Sequence, residues 1–94
     1  MRERITLKEA IELAESLGYT RWENSDYSEH KPIVMEIQNP KSGLFHVVDF
    51  YNKDTNGSND LEGPAEAVFH AANPFNSDSS EEDVLRILNF AKEF

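Results

Sequence analysis

The chain has 94 residues, 18 acidic against nine basic side chains, a net charge of −9 and no cysteine. That length suits one domain, residues 1–94, around one hydrophobic core. The missing cysteines exclude a disulfide framework and a thiolate zinc site. No segment approaches the roughly 20 apolar residues of a membrane helix. The charged start Met1-Arg2-Glu3-Arg4 leads into no apolar run of a secretion signal, so a cytoplasmic location is expected.

The first predicted element is a helix. Thr6 and Glu9 have the spacing of a capping box, flanked by Ile5 and Ala10 as a hydrophobic staple. Leu7, Ala10, Ile11, Ala14 and Leu17 recur on one helical face, and Gly18 is a natural left-handed stop. Residues 19–23 are compatible with a short strand, and Asn24-Ser25-Asp26 reads as a turn.

Ile33 to Gln38 and Leu44 to Tyr51 then carry the clearest β pattern, joined by the hairpin loop 39–43. Pairing Gln38 with Leu44 sets Ile37 against Phe45, Met35 against Val47 and Ile33 against Asp49. One face is then almost wholly apolar, with Asp49 at its rim. The other face carries Val34, Glu36 and Gln38 with Leu44, His46, Val48 and Phe50, and His46 meets Glu36. Gly63-Pro64 opens a predicted second helix bearing Ala65, Val68, Phe69 and Ala72, ended by Asn73-Pro74. Ser79 and Glu82 form a second capping box for a third helix, with Val84, Ile87, Leu88 and Ala91 as its buried stripe. The expected fold is α+β, in the order α-(β)-β-β-α-α. A small antiparallel sheet, made of the central hairpin with room for a third strand, packs against about three helices.

Chemistry-bearing motifs are few. The loop from Asn52 to Gly63 echoes a calcium loop through Asn52, Asp54, Asn56 and Gly57, with Asp60 at the ninth position. Its twelfth position is Gly63 instead of a bidentate Glu, so an ordinary turn loop is the expectation, with no cofactor and no metal. His30, His46 and His70 have no metal-ligand spacing. No nucleophile elbow, phosphate-binding glycine loop or metalloprotease helix occurs, so no catalytic residue is assigned and an enzyme is not expected.

The distribution of charge is more informative. Residues 1–53 hold nine acids and seven bases, whereas residues 54–85 hold eight acids and no base. Those eight are Asp54, Asp60, Glu62, Glu66, Asp78, Glu81, Glu82 and Asp83. A one-signed surface of this kind repels nucleic acid and anionic membranes and steers a basic protein. These acids, with Trp22 and Phe50 as aromatic anchors, are the candidate partner-binding residues. Charge reversal at Glu81, Glu82 and Asp83 is expected to weaken that binding with little loss of stability.

The expected function is a small acidic protein-binding or inhibitor protein, monomeric or homodimeric. It would cover a basic surface of its partner, such as a nuclease's nucleic-acid site, by mimicking phosphate charge. In size, charge and lack of catalytic motifs the chain is similar to immunity proteins of nuclease toxins and to phage inhibitors of the anti-CRISPR and anti-restriction kind, components of antiviral conflict. No residue motif ties it to any of these. The alternatives are a small enzyme or ligand-binding module with a pocket near His46 and Asp49, and an accessory subunit whose acidic tract only confers solubility.

Overall fold

Thr6 starts the first helix, α1 (Leu7–Ser16), with the reciprocal cap that its sequence predicts. The Thr6 hydroxyl accepts the Glu9 N–H, and the Glu9 carboxylate accepts the Thr6 N–H. The helix stops at Leu17, and Gly18 follows with φ +100°. The computed structural model describes residues 2–22, 27, 30–71 and 75–94. The turn expected at residues 24–26 and the helix end expected at 73–74 lie outside the described residues.

After α1 come β1 (Thr20–Arg21), β2 (Ile33–Gln38), β3 (Phe45–Asn52), β4 (Ala65–Phe69) and β5 (Phe75–Asn76), then the helix α2 (Glu81–Glu93). The strands form one antiparallel sheet in the order β1-β2-β3-β4-β5, with only two residues in each outer strand. The α+β class therefore holds, and the short strand expected near residue 20 is present. The count of three helices does not hold, because the chain from Ala65 to Phe69 is a strand. Ala65, Ala67 and Phe69 all point into the core, a period of two, while Glu66 faces out. So short a segment makes a poor helix unaided, and pairing with β3 decides its conformation.

The hairpin register also differs from expectation by one residue. Gln38 pairs with Phe45, Ile37 with His46, Met35 with Val48 and Ile33 with Phe50. The extra loop residue is accommodated by Asn39, whose N–H donates to the Leu44 carbonyl at 2.8 Å and whose Oδ1 accepts the Lys41 N–H at 2.8 Å. The slip removes Asp49 from the face that meets the helices and puts Phe50 there. Burying a carboxylate against apolar side chains costs far more than exposing Phe45 and Val47. The hairpin pattern alone does not contain the deciding neighbour, β4, which pairs with β3 from Asp49 to Asn52.

The core lies between that sheet face and both helices. Ile33, Met35, Val48 and Phe50 from the central strands, and Ala65, Ala67 and Phe69 from β4, meet Leu7, Ala10 and Ala14 of α1 and Val84, Ile87, Leu88 and Ala91 of α2. Tyr19 is buried at the end of α1 and donates its hydroxyl to the Leu88 carbonyl at 2.6 Å. Both helices begin at one end of the molecule. Ile5 N–H donates to Ser79 O, and Glu81 N–H donates to Arg2 O. The α2 cap is Ser80, one residue later than predicted, because the Ser79 hydroxyl is engaged by the Ala65 carbonyl at 2.8 Å. Among the described residues no helix is long and apolar enough to cross a membrane.

Candidate protein-binding face

Strand alternation places one set of side chains away from both helices. On β2 these are Val34, Glu36 and Gln38; on β3, Phe45, Val47, Asp49 and Tyr51. Thr20 continues the row opposite Glu36, and Trp22, whose N–H donates to the Val34 carbonyl, extends it. Glu66 and Val68 of β4 and Asn76 of β5 complete it. No described helix covers this face, and three of its large apolar groups are solvated, Phe45 at 60% exposed, Trp22 at 51% and Val47 at 39%, whereas Val68 is buried. These outward strand positions carry Glu36, Asp49 and Glu66 and neither Lys nor Arg.

Asp49 is half-buried. It stands opposite Val34 on one side and Val68 on the other, and its Oδ2 lies 3.4 Å from Nε2 of His70. Burial raises its pKa above the usual carboxylate value, and the His70 contact opposes that shift. The Tyr51 phenol is also raised, first by burial and then by the charges of Asp49 and Glu66. The Glu66 carboxylate accepts a hydrogen bond from Asn76 Nδ2 at 3.1 Å.

The sequence-predicted site residues fall in several places. Trp22 and Glu66 belong to the uncovered face. Phe50 does not: it is fully buried in the core, because the register slip turns it inward. Val48, expected beside it on an open face, is buried as well. The remaining acids gather at the end where both helices start. The Arg2 guanidinium forms an ion pair with Glu9, and the Arg2 backbone N–H donates to the Glu81 carboxylate. Asp83 accepts from Arg86 at 2.7 Å and from the Asp78 N–H at 2.7 Å. The Arg86 hydrogen bond holds the Asp83 carboxyl below its usual range, with a smaller contribution from Lys53. Glu82 lines a surface cavity with Asp78 and Asp83, and Arg86 lies on its wall. Asp54, Asp60 and Glu62 occupy the loop before Gly63 and are exposed. The eight acids therefore do not make one unneutralised surface: Glu66 lies on the sheet, and the others share their end of the molecule with Arg2, Lys53 and Arg86.

Asn52, the first position of the calcium-like loop, is buried and serves the loop itself. Its Nδ2 donates to Asp60 O at 3.0 Å, and its Oδ1 accepts the Asp54 N–H at 2.9 Å. No group of three metal-ligating side chains occurs among the described residues.

His46 and Asp49 point to opposite sides of the sheet, so no single pocket holds both. His46 lies on the helix side, edge-on to Phe69 and Phe94 with ring centroids 6.0 and 5.5 Å away, and does not face Glu36. Its Nε2 is buried with no hydrogen-bond partner among the described residues. Asp49 instead meets His70, a pairing that follows from β4 being a strand beside β3 and that a helix over this segment would not predict.

Comparison with known proteins finds no matching family model, no matching curated protein and no matching solved structure.

Proposed function

We propose that this chain is a protein-binding module that docks a basic partner on the uncovered face of its sheet. The observation that carries the reading is the composition of that face: Phe45, Val47 and Trp22 exposed, Glu36, Asp49 and Glu66 among them, and no cationic side chain at the outward strand positions. Solvated aromatic groups supply desolvation energy at the centre of an interface. Carboxylates around them select a positively charged counterpart and reject acidic ones. The acids at the helix-start end act at longer range. With a net charge of −9, the molecule as a whole accelerates encounter with a basic surface. Inhibition follows where that surface is one a nuclease uses for nucleic acid.

Titration calorimetry against a basic nuclease, at low and at high ionic strength, tests the reading. Affinity is expected to fall steeply with salt. Phe45→Ala and Glu36→Lys should each weaken binding by about tenfold or more while circular dichroism stays unchanged. Affinity indifferent to salt, or undisturbed by both substitutions, would remove the proposal.

A further inference from the structure

The uncovered face is not flat. Toward its β4 side it holds a cavity of about 480 Å³ lined by Tyr51, Asn56, Glu66, Val68, His70 and Asn76. Val68 is only 4% exposed although it lies outside the main core cluster, so it forms an apolar floor. Tyr51, on the neighbouring strand β3 opposite Glu66, lies on the same sheet face and supplies an aromatic wall. Glu66 supplies a carboxylate that accepts a hydrogen bond from Asn76 Nδ2. Asp49 sits beside His70 with 18% of its side chain exposed, a second carboxylate close to the cavity. Among the described residues no Lys or Arg lines the space.

An apolar floor, an aromatic wall and carboxylates at the edge are together the surroundings a planar cation prefers. The ring face attracts the charge, the carboxylate accepts its N–H groups in a fork, and weak hydration makes a guanidinium less costly to desolvate than an ammonium. We propose that this cavity seats the guanidinium of an arginine presented by the basic partner. The Glu66 carboxylate would receive its N–H groups, Tyr51 would stack on its plane, and Asp49 would add charge from behind His70. The proposal rests on the docking reading above and gives it an anchor. The partially desolvated state of Asp49 supports it, since a nearby cation relieves that burial.

The first arm of the test needs no partner. N-acetyl-arginine amide is titrated into the whole protein and followed by amide chemical shifts in proton–nitrogen correlation spectra. Saturable shifts confined to Tyr51, Glu66, Val68 and His70 are expected. Binding should be about tenfold weaker in Glu66→Gln and in Tyr51→Leu, with the rest of each spectrum confirming an unchanged fold. N-acetyl-lysine amide should bind several-fold more weakly than the arginine probe. Shifts spread over the acidic loops, equal response to the lysine probe, or full binding by Glu66→Gln would each overturn the proposal. Loss of the cavity signal while Phe45→Ala still impairs nuclease binding would end this inference alone. Arginine binding without any effect of Phe45→Ala would end the docking reading instead.

Discussion

Phe45 and Phe50 are five residues apart on one strand and face opposite environments. Phe50 is fully buried, and truncating it leaves a cavity at the centre of the core. Phe50→Ala is therefore expected to cost about 3–5 kcal/mol in urea unfolding, close to the whole stability of so small a domain. Phe45→Ala, at a solvated position, should stay within about 0.5 kcal/mol. Equal costs would mean that the hairpin register is wrong. Gly63 shows the same sensitivity by another route: a Cβ there would lie 1.9 Å from Asn52 Nδ2, inside the hydrogen bonds that shape the loop. Tyr19 adds a pH dependence. Burial raises its pKa above the ordinary 10.0, so the folded chain holds the phenolic proton more tightly than the unfolded one. Its contribution is intact below about pH 10 and is lost as pH rises beyond that. Tyr19→Phe should lose about 1 kcal/mol at neutral pH, where the bond to Leu88 is removed, and show less decline in stability under alkaline conditions. An unchanged alkaline profile would remove Tyr19 as the cause.

At the scale of elements, the start of α2 is held by a small polar network. Ser80 accepts the Asp83 N–H, and Asp83 in turn accepts from Asp78 N–H and Arg86. Ser80→Ala should cost about 1 kcal/mol. Charge reversal at Asp83 should destabilise the protein, contrary to the mild effect expected from sequence, because it removes the two side-chain interactions with Asp78 N–H and Arg86 and places a cation at a helix N-terminus. Since the folded-state pKa of Asp83 is lowered, its contribution is present above the ordinary carboxylate value of 3.8 and is lost as pH falls through that range. An acid titration of Asp83→Asn followed by fluorescence should show a shallower decline than the parent; matching curves would contradict this. Both terminal helices were legible in sequence because local signals, caps and a 3.6-residue stripe, agree with their tertiary packing. β4 was not, since Gly63-Pro64 and two alanines favour a helix locally while strand pairing overrides them. That one misreading hid the Asp49–His70 pair and the cavity beside it. Glu66 was legible as an acid, but not as part of a sheet. Trp22 and the acidic composition were visible from residue type alone, whereas Phe45 and Val47 became candidates only once the register turned them outward.

For the whole molecule, the sum of charges acts against compactness. A net charge of −9 on a chain with a Cα radius of gyration of 12.1 Å repels itself, and mobile ions screen that repulsion. The thermal midpoint should therefore rise with added sodium chloride, while affinity for a basic partner falls. Calorimetric scans along a salt series check the first effect, and opposite trends in the two quantities separate self-repulsion from docking. The outermost strands bear on a different hazard. A sheet that leaves aromatic and aliphatic groups in water would ordinarily invite lateral growth, copy upon copy, into fibrils. Here Thr20–Arg21 and Phe75–Asn76 leave each margin only a short run of backbone on which a neighbouring chain could template. The brevity of these two outer strands limits lateral templating along them.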